Sequence, residues 1–153
     1  NMEKVVLARY KNTDYTVNYE NKRYVWYGSK GNIISKKEVP IDIYEWLTMH
    51  TYTFQNGELV LDSTNENLEE LKENIYEIDE YNANAISKED IIKLLNGNFK
   101  KMEAEFKKIE IDSTKRFVLD VAREIGLESA PKQKFIKEWL GTELTIEELF
   151  HME

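Results

Sequence analysis

The stretch from Phe117 to Gly141 reads as two small helices with a kink between them, a helix–loop–helix shape that often touches nucleic acid. Phosphate oxygens accept hydrogen bonds from hydroxyl and N–H groups, and each Lys that neutralises a phosphate releases a counterion. The surrounding residues 113–141 hold six basic and four acidic residues, a net charge of only +2. A helical module that contacts protein, or simply caps the fold, accounts for the same stretch equally well.

Other chemistries find less support. Glu66, Glu69, Glu70, Glu73 and Glu77 recur along one expected helix, which describes a solvated face; a divalent cation needs carboxylates converging from several elements. With 33% of residues charged, chance carboxylate pairs are expected. His50 and His151 are the two imidazoles, and neither has a second His or a Cys at ligand spacing. The chain has no Cys, which removes disulfides, thiolate nucleophiles and Cys-based zinc sites. The run GSKGN lacks the spacing and following helix of a phosphate-binding loop, and no Gly-x-Ser-x-Gly elbow occurs. No catalytic residue, metal ligand, cofactor or small-molecule substrate is therefore expected, and the chain reads as non-enzymatic.

Aromatic and apolar residues offer interface candidates. On an expected strand, Tyr24 and Trp26 share one face, and Val25 and Tyr27 the other. Such a sheet could stack bases or dock a protein through Trp26 and Tyr27. The simpler reading is core, because a module of about sixty residues needs aromatics to bury enough surface. Ile92, Leu95, Phe99, Met102, Phe106 and Ile109 are spaced 3, 4, 3, 4, 3, a heptad seam kept across Gly97. Phe99, Met102 and Phe106 would face a partner if the seam is intermolecular. Packing against the helix expected near 64–78 is the intramolecular alternative.

These residues must be carried by recognisable elements. The run KVVLARY, then YTVNY and RYVWYG joined by a short turn, reads as β. Ile33-Ile34 fits one more short strand. A helix follows from Pro40 with Ile43, Trp46 and Leu47 at helical spacing. Tyr52 and Phe54, then Leu59 and Leu61, flank Gln55-Asn56-Gly57 as a hairpin. Residues 1–62 are thus expected to form a β-rich module with one helix. Residues 63–86 read as an acidic helix, with Leu68, Leu71, Ile75 and Ile78 on one face, followed by a polar linker, DEYNANA. Residues 87–153 read as helical. Ser87 caps the first helix, with Asp90 three positions on. After Asp112-Ser113-Thr114 as punctuation comes a helix-extended-helix unit at 113–141, and TIEELFHME is a last amphipathic piece. The expected fold class is α+β.

The chain's 153 residues carry a formal charge of −8, unevenly placed. Residues 63–90 hold two basic and nine acidic residues, a net −7. The chain is therefore not uniformly repelled by phosphate; it has an acidic middle. No run approaches the ~20 apolar residues of a membrane helix, and the start, NMEKVVLARY, has no signal-peptide pattern.

Within the helix-extended-helix unit, Leu119, Ile125-Gly126-Leu127, Lys134-Phe135-Ile136 and Leu140 form a pattern of about twenty-five residues. It resembles the SAP and helix-extended-helix group, including the Rho N-terminal-like domains. That resemblance implies backbone contacts from the start of the second helix and the loop before it, here Ser129, Lys132 and Lys134, with Lys137 a turn later. The group usually has a glycine before the basic residue, where this chain has Pro131. The order of modules also resembles a family of small head-region proteins of bacteriophages and prophages of Gram-positive bacteria, encoded near capsid and head–tail connector genes. This implies a capsid-associated role in virion assembly, with phage structural proteins or self-association as partners and packaged DNA as a further one. It also implies a place in the bacterial cytoplasm or virion, and it brings no catalytic residues. Sequence-independent nucleic-acid binding through the terminal unit is the alternative function.

Overall fold

Pairing of apolar runs builds the first part of the chain. The computed structural model describes residues 3–151. The reading of the N-terminus includes Asn1 and Met2, and the last amphipathic piece includes Met152 and Glu153; these lie outside the described residues. The chain divides into two units, Asn1–Ile86 and Ser87–Glu153. The first is β-rich with helices at its side and end, and the second is helical, an α+β fold.

In the first unit β1 (Lys4–Arg9) is followed by β2 (Tyr15–Tyr19), β3 (Lys22–Trp26), β4 (Ser35–Pro40), helix α1 (Ile41–His50) and the short β5 (Val60–Leu61). β1 lies between β4 and β5, antiparallel to both, with register running from Lys4↔Pro40 to Arg9↔Ser35. β2 and β3 form a separate hairpin. Its turn residues Glu20 and Asn21 both have positive φ, 47° and 67°, the geometry whose twist matches paired strands. α1 lies against β1 and β4 and buries Ile43, Tyr44, Leu47 and Thr48. Trp26 is fully buried, and its indole Nε1 donates to the Leu7 carbonyl at 2.9 Å.

Three local expectations fail here for tertiary reasons. Residues 52–61 are not a hairpin. Tyr52 to Gly57 turn on themselves, with Asn56 N donating to Tyr52 O and Gly57 N to Phe54 O. The short strand that follows pairs with β1 instead. Phe54 is buried, 5.2 Å from the Tyr44 ring and 6.4 Å from the Tyr81 ring, so core packing outweighs the turn's own preference. The strand expected at Ile33-Ile34 is not formed; the strand lies just after it as β4, SKKEVP, which its charge disguised. It is a sheet edge, where charged side chains block further pairing.

The acidic stretch is the third case. It is two short helices, α2 (Leu68–Lys72) and α3 (Ile78–Asn84), broken at Glu77, whose φ is 54°. The supposed linker belongs to the core. Tyr81 is buried and its hydroxyl accepts from Leu61 N at 2.9 Å, while Tyr44 donates its hydroxyl to Leu71 O at 2.6 Å. Burial pushes the Tyr81 phenol up to about 12.

The second unit contains α4 (Lys88–Leu95), α5 (Phe99–Phe106), α6 (Asp112–Glu124), α7 (Ala130–Leu140) and α8 (Ile146–His151). Ser87 caps α4, accepting from Asp90 N at 3.1 Å. The Asn96-Gly97-Asn98 break separates two helices, and Asn98 caps the second by accepting from Lys101 N at 3.0 Å. Asp112-Ser113-Thr114 is the first turn of α6, not punctuation before it. Gly126, at φ 65°, ends the helical path, and Pro131 sits in the first turn of α7 behind the Ser129 cap. No described helix is long and apolar enough to cross a membrane.

Candidate functional site

The residues nominated for nucleic acid mostly hold the fold together. Ser129 Oγ accepts from Lys132 N at 3.4 Å as the cap of α7. The Lys132 ammonium donates to the Leu95 carbonyl at 2.6 Å and the Gly97 carbonyl at 2.7 Å, closing the C-terminal end of α4. A cation there meets carbonyls that lack a helical partner. Lys137 Nζ donates to Thr142 O at 3.2 Å beyond its own helix. Lys134 is exposed on α7.

The nominated interface residues separate into buried and open ones. Trp26 is core, which removes it from any docking surface; Tyr27, the next residue, is 66% exposed. Met102 and Phe106 are fully buried within their own unit, so the heptad seam turns inward. Phe106 stacks on Trp139 at 5.3 Å. Phe99 is half-buried, edge-on to Phe135 at 6.1 Å. Within the second unit the seam's aromatics therefore meet those of α7.

A cleft of about 330 Å³ opens in the second unit where α6, the end of α7 and the segment entering α8 meet. Leu119, Leu140, Leu144 and Leu149 supply its apolar surface. Lys115, Arg116 and Arg123 make its charge, with Asp112 and Thr142 beside them. Lys115 donates to Trp139 O at 3.1 Å and sits 5.3 Å over the Trp139 ring, and Arg123 Nε donates to Leu149 O at 2.6 Å. Arg116 is exposed. Sequence reasoning passed over this group, although the signal was present. Arg116, Leu119 and Arg123 are spaced 3 and 4, one stripe of a helix.

A second missed group lies in the first unit. Arg9 and Lys11 are buried beside Glu58. Arg9 donates Nε to Thr13 O, Nη2 to Thr13 Oγ1 and Nη1 to Glu58 O, each at 2.8 Å, and lies over the Tyr15 ring. Lys11 Nζ donates to Asn56 O at 2.8 Å and Glu58 Oε1 at 2.9 Å. Burial lowers the pKa of both cations. Burial also pushes the Glu58 carboxyl up, but Lys11 and Arg9 outweigh it and hold the carboxyl below its ordinary value. Period two from Val5 and Leu7 places Arg9 and Lys11 on the inward face, a signal masked by their charge. Donors spread over Thr13, Asn56 and Glu58 make this a structural clamp.

Residues 3–77 match the YonA N-terminal domain, and residues 87–146 match the YonA C-terminal domain. The two matches together take in most of the chain. Comparison with the curated proteins and with the solved structures gives no match.

Proposed function

As the chain belongs to the YonA family, a name associated with bacteriophages and prophages, we propose that it is a non-enzymatic phage accessory protein. It acts in virion assembly, at or near the head, through protein–protein contacts. The observation that carries this reading is the loop between β3 and β4. Tyr27, Ile33 and Ile34 are 66%, 76% and 40% exposed there. The loop's base is nonetheless fixed: Gly28 N donates to Asp14 Oδ1 at 2.8 Å, Ser29 N to Lys11 O at 2.9 Å and Ser29 Oγ to Arg9 O at 2.6 Å. Large apolar side chains grouped on a held loop and left in water mark a surface for another protein.

The test is photo-crosslinking in cells producing particles. A reactive residue placed at Ile33 should form an adduct with a capsid or other virion protein; one at Glu45, on the exposed face of α1, should not. Position 33 behaving like position 45 would overturn the reading.

Nucleic-acid binding is the second reading, favoured by Lys134 and Arg116 both being exposed in the C-terminal unit. It ranks lower because Lys132 and Lys137 already hold carbonyls and residues 87–153 carry a net −2. A gel shift of the full chain that is lost with salt and with Lys134→Glu would raise it.

A further inference from the structure

The corner between α2 and α3 presents an aromatic ring that the fold does not use. Leu71 and Ile75 point into the core, yet Tyr76 is 71% exposed. Its backbone is not loose. Gln55 Nε2 donates to the Tyr76 carbonyl at 2.8 Å, and the next residue, Glu77, is held at φ 54°. A non-glycine residue in that region is retained when the surroundings impose it. Glu73, Glu77, Asp79 and Glu80, all within four residues of Tyr76 in the chain, are exposed. The result is a rigid acidic knob with one large amphipathic side chain at its tip, the kind of group that anchors protein contacts.

The cleft beside α6 has the opposite character. Its leucines offer apolar surface and exposed Arg116 offers positive charge, reinforced by Lys115 and Arg123, which are held in place by the Trp139 and Leu149 carbonyls. A phosphodiester backbone has no need of a leucine lining, whereas an aromatic side chain flanked by carboxylates uses both parts. Asp112 and Thr142 supply hydrogen-bond partners for a phenol hydroxyl.

We propose that the Tyr76 corner of one copy docks into the Arg116–Arg123 cleft of a second copy. The corner lies in the first unit and the cleft in the second, so the contact is head-to-tail. Each added copy leaves one free corner and one free cleft, which builds rings or chains. The proposal rests on the reading of the chain as a protein-contact module, but it does not involve the loop at 27–34.

Sedimentation velocity of the full chain over a concentration series tests it. The wild type should form species larger than a dimer, and salt should weaken them. Arg116→Glu and Tyr76→Ser alter exposed side chains, and circular dichroism should show both folded. Each should weaken association at least roughly tenfold. Mixing the two variants is the decisive arm. The Tyr76→Ser cleft and the Arg116→Glu corner are intact, so the mixture should form a 1:1 dimer and grow no further. A wild type that stays monomeric, an association insensitive to both variants, or a mixture that stays monomeric would overturn the proposal. A monomeric wild type that binds duplex DNA in an Arg116-dependent way would also overturn it and assign the cleft to phosphate. Failure here leaves the crosslinking result at Ile33 untouched, so the two readings fall separately.

Discussion

The Lys132 ammonium donates to the Leu95 carbonyl at 2.6 Å, tying the first turn of α7 to the last turn of α4. Lys132 is thereby a structural cation in the position where the resemblance to helix-extended-helix proteins implies a phosphate contact. Lys132→Met should destabilise the second unit by about 2 kcal/mol, the usual range for a charge-assisted hydrogen bond. Lys134→Met, on the exposed face of the same helix, should change stability by less than about 0.5 kcal/mol. Urea unfolding followed by far-ultraviolet circular dichroism distinguishes the two.

Glu58 is the counter-charge of two buried cations, with Lys11 Nζ at 2.9 Å and Arg9 Nη1 at 3.4 Å. Glu58→Gln should cost about 3 kcal/mol, because both cations stay buried without it. The folded-state carboxyl sits below its ordinary value. Its stabilisation is therefore complete above the unfolded pKa and is lost as pH falls through the folded one. The urea midpoint of the wild type should drop between about pH 5 and pH 3, and that limb should be shallower in Glu58→Gln.

Gly57 and Gly126 share a left-handed backbone, at φ 67° and 65°, but not the same surroundings. A Cβ on Gly57 would stand 2.2 Å from Asn84 O, while nothing lies within 4 Å of one on Gly126. Gly126→Ala should cost only the backbone preference, about 1 kcal/mol. Gly57→Ala should exceed about 3 kcal/mol, since the Asn84 backbone must also shift. Thermal unfolding of the pair measures the difference.

Trp26 and Tyr27 are neighbours in sequence and opposites in burial. Trp26→Phe should cost about 2 kcal/mol through lost packing and the lost bond to Leu7 O. Tyr27→Ser should stay within about 0.5 kcal/mol. Urea titration followed by far-ultraviolet circular dichroism measures both variants.

Features encoded within a few residues were legible in the chain. The β2–β3 hairpin, the Ser87 cap and the break at Gly126 all depend on neighbours in sequence. What was missed depended on distant partners. The strand expected at Ile33-Ile34 forms instead at Ser35–Pro40, where β1 pairs with it, and Phe54 reads as strand until Tyr44 and Tyr81 pack around it. Of the nominated site residues, Lys132, Met102, Phe106 and Trp26 lie inside their units' own packing or hydrogen bonding, because a residue's type does not reveal whether its partner is in the same chain.

The sequence by itself determined the α+β class, the uneven charge with its acidic middle, and the existence of a helix on either side of Gly126, because periodicity, capping and composition are local properties. Only the tertiary structure decided which side chains remain available. It buried Trp26 and left Tyr27 open, engaged Lys132 and left Arg116 exposed, turned an apparent linker into a core element through Tyr81, and left Tyr76 exposed just before it. Availability depends on what the rest of the chain covers, a long-range outcome of packing and hydrogen-bond satisfaction that no short stretch specifies.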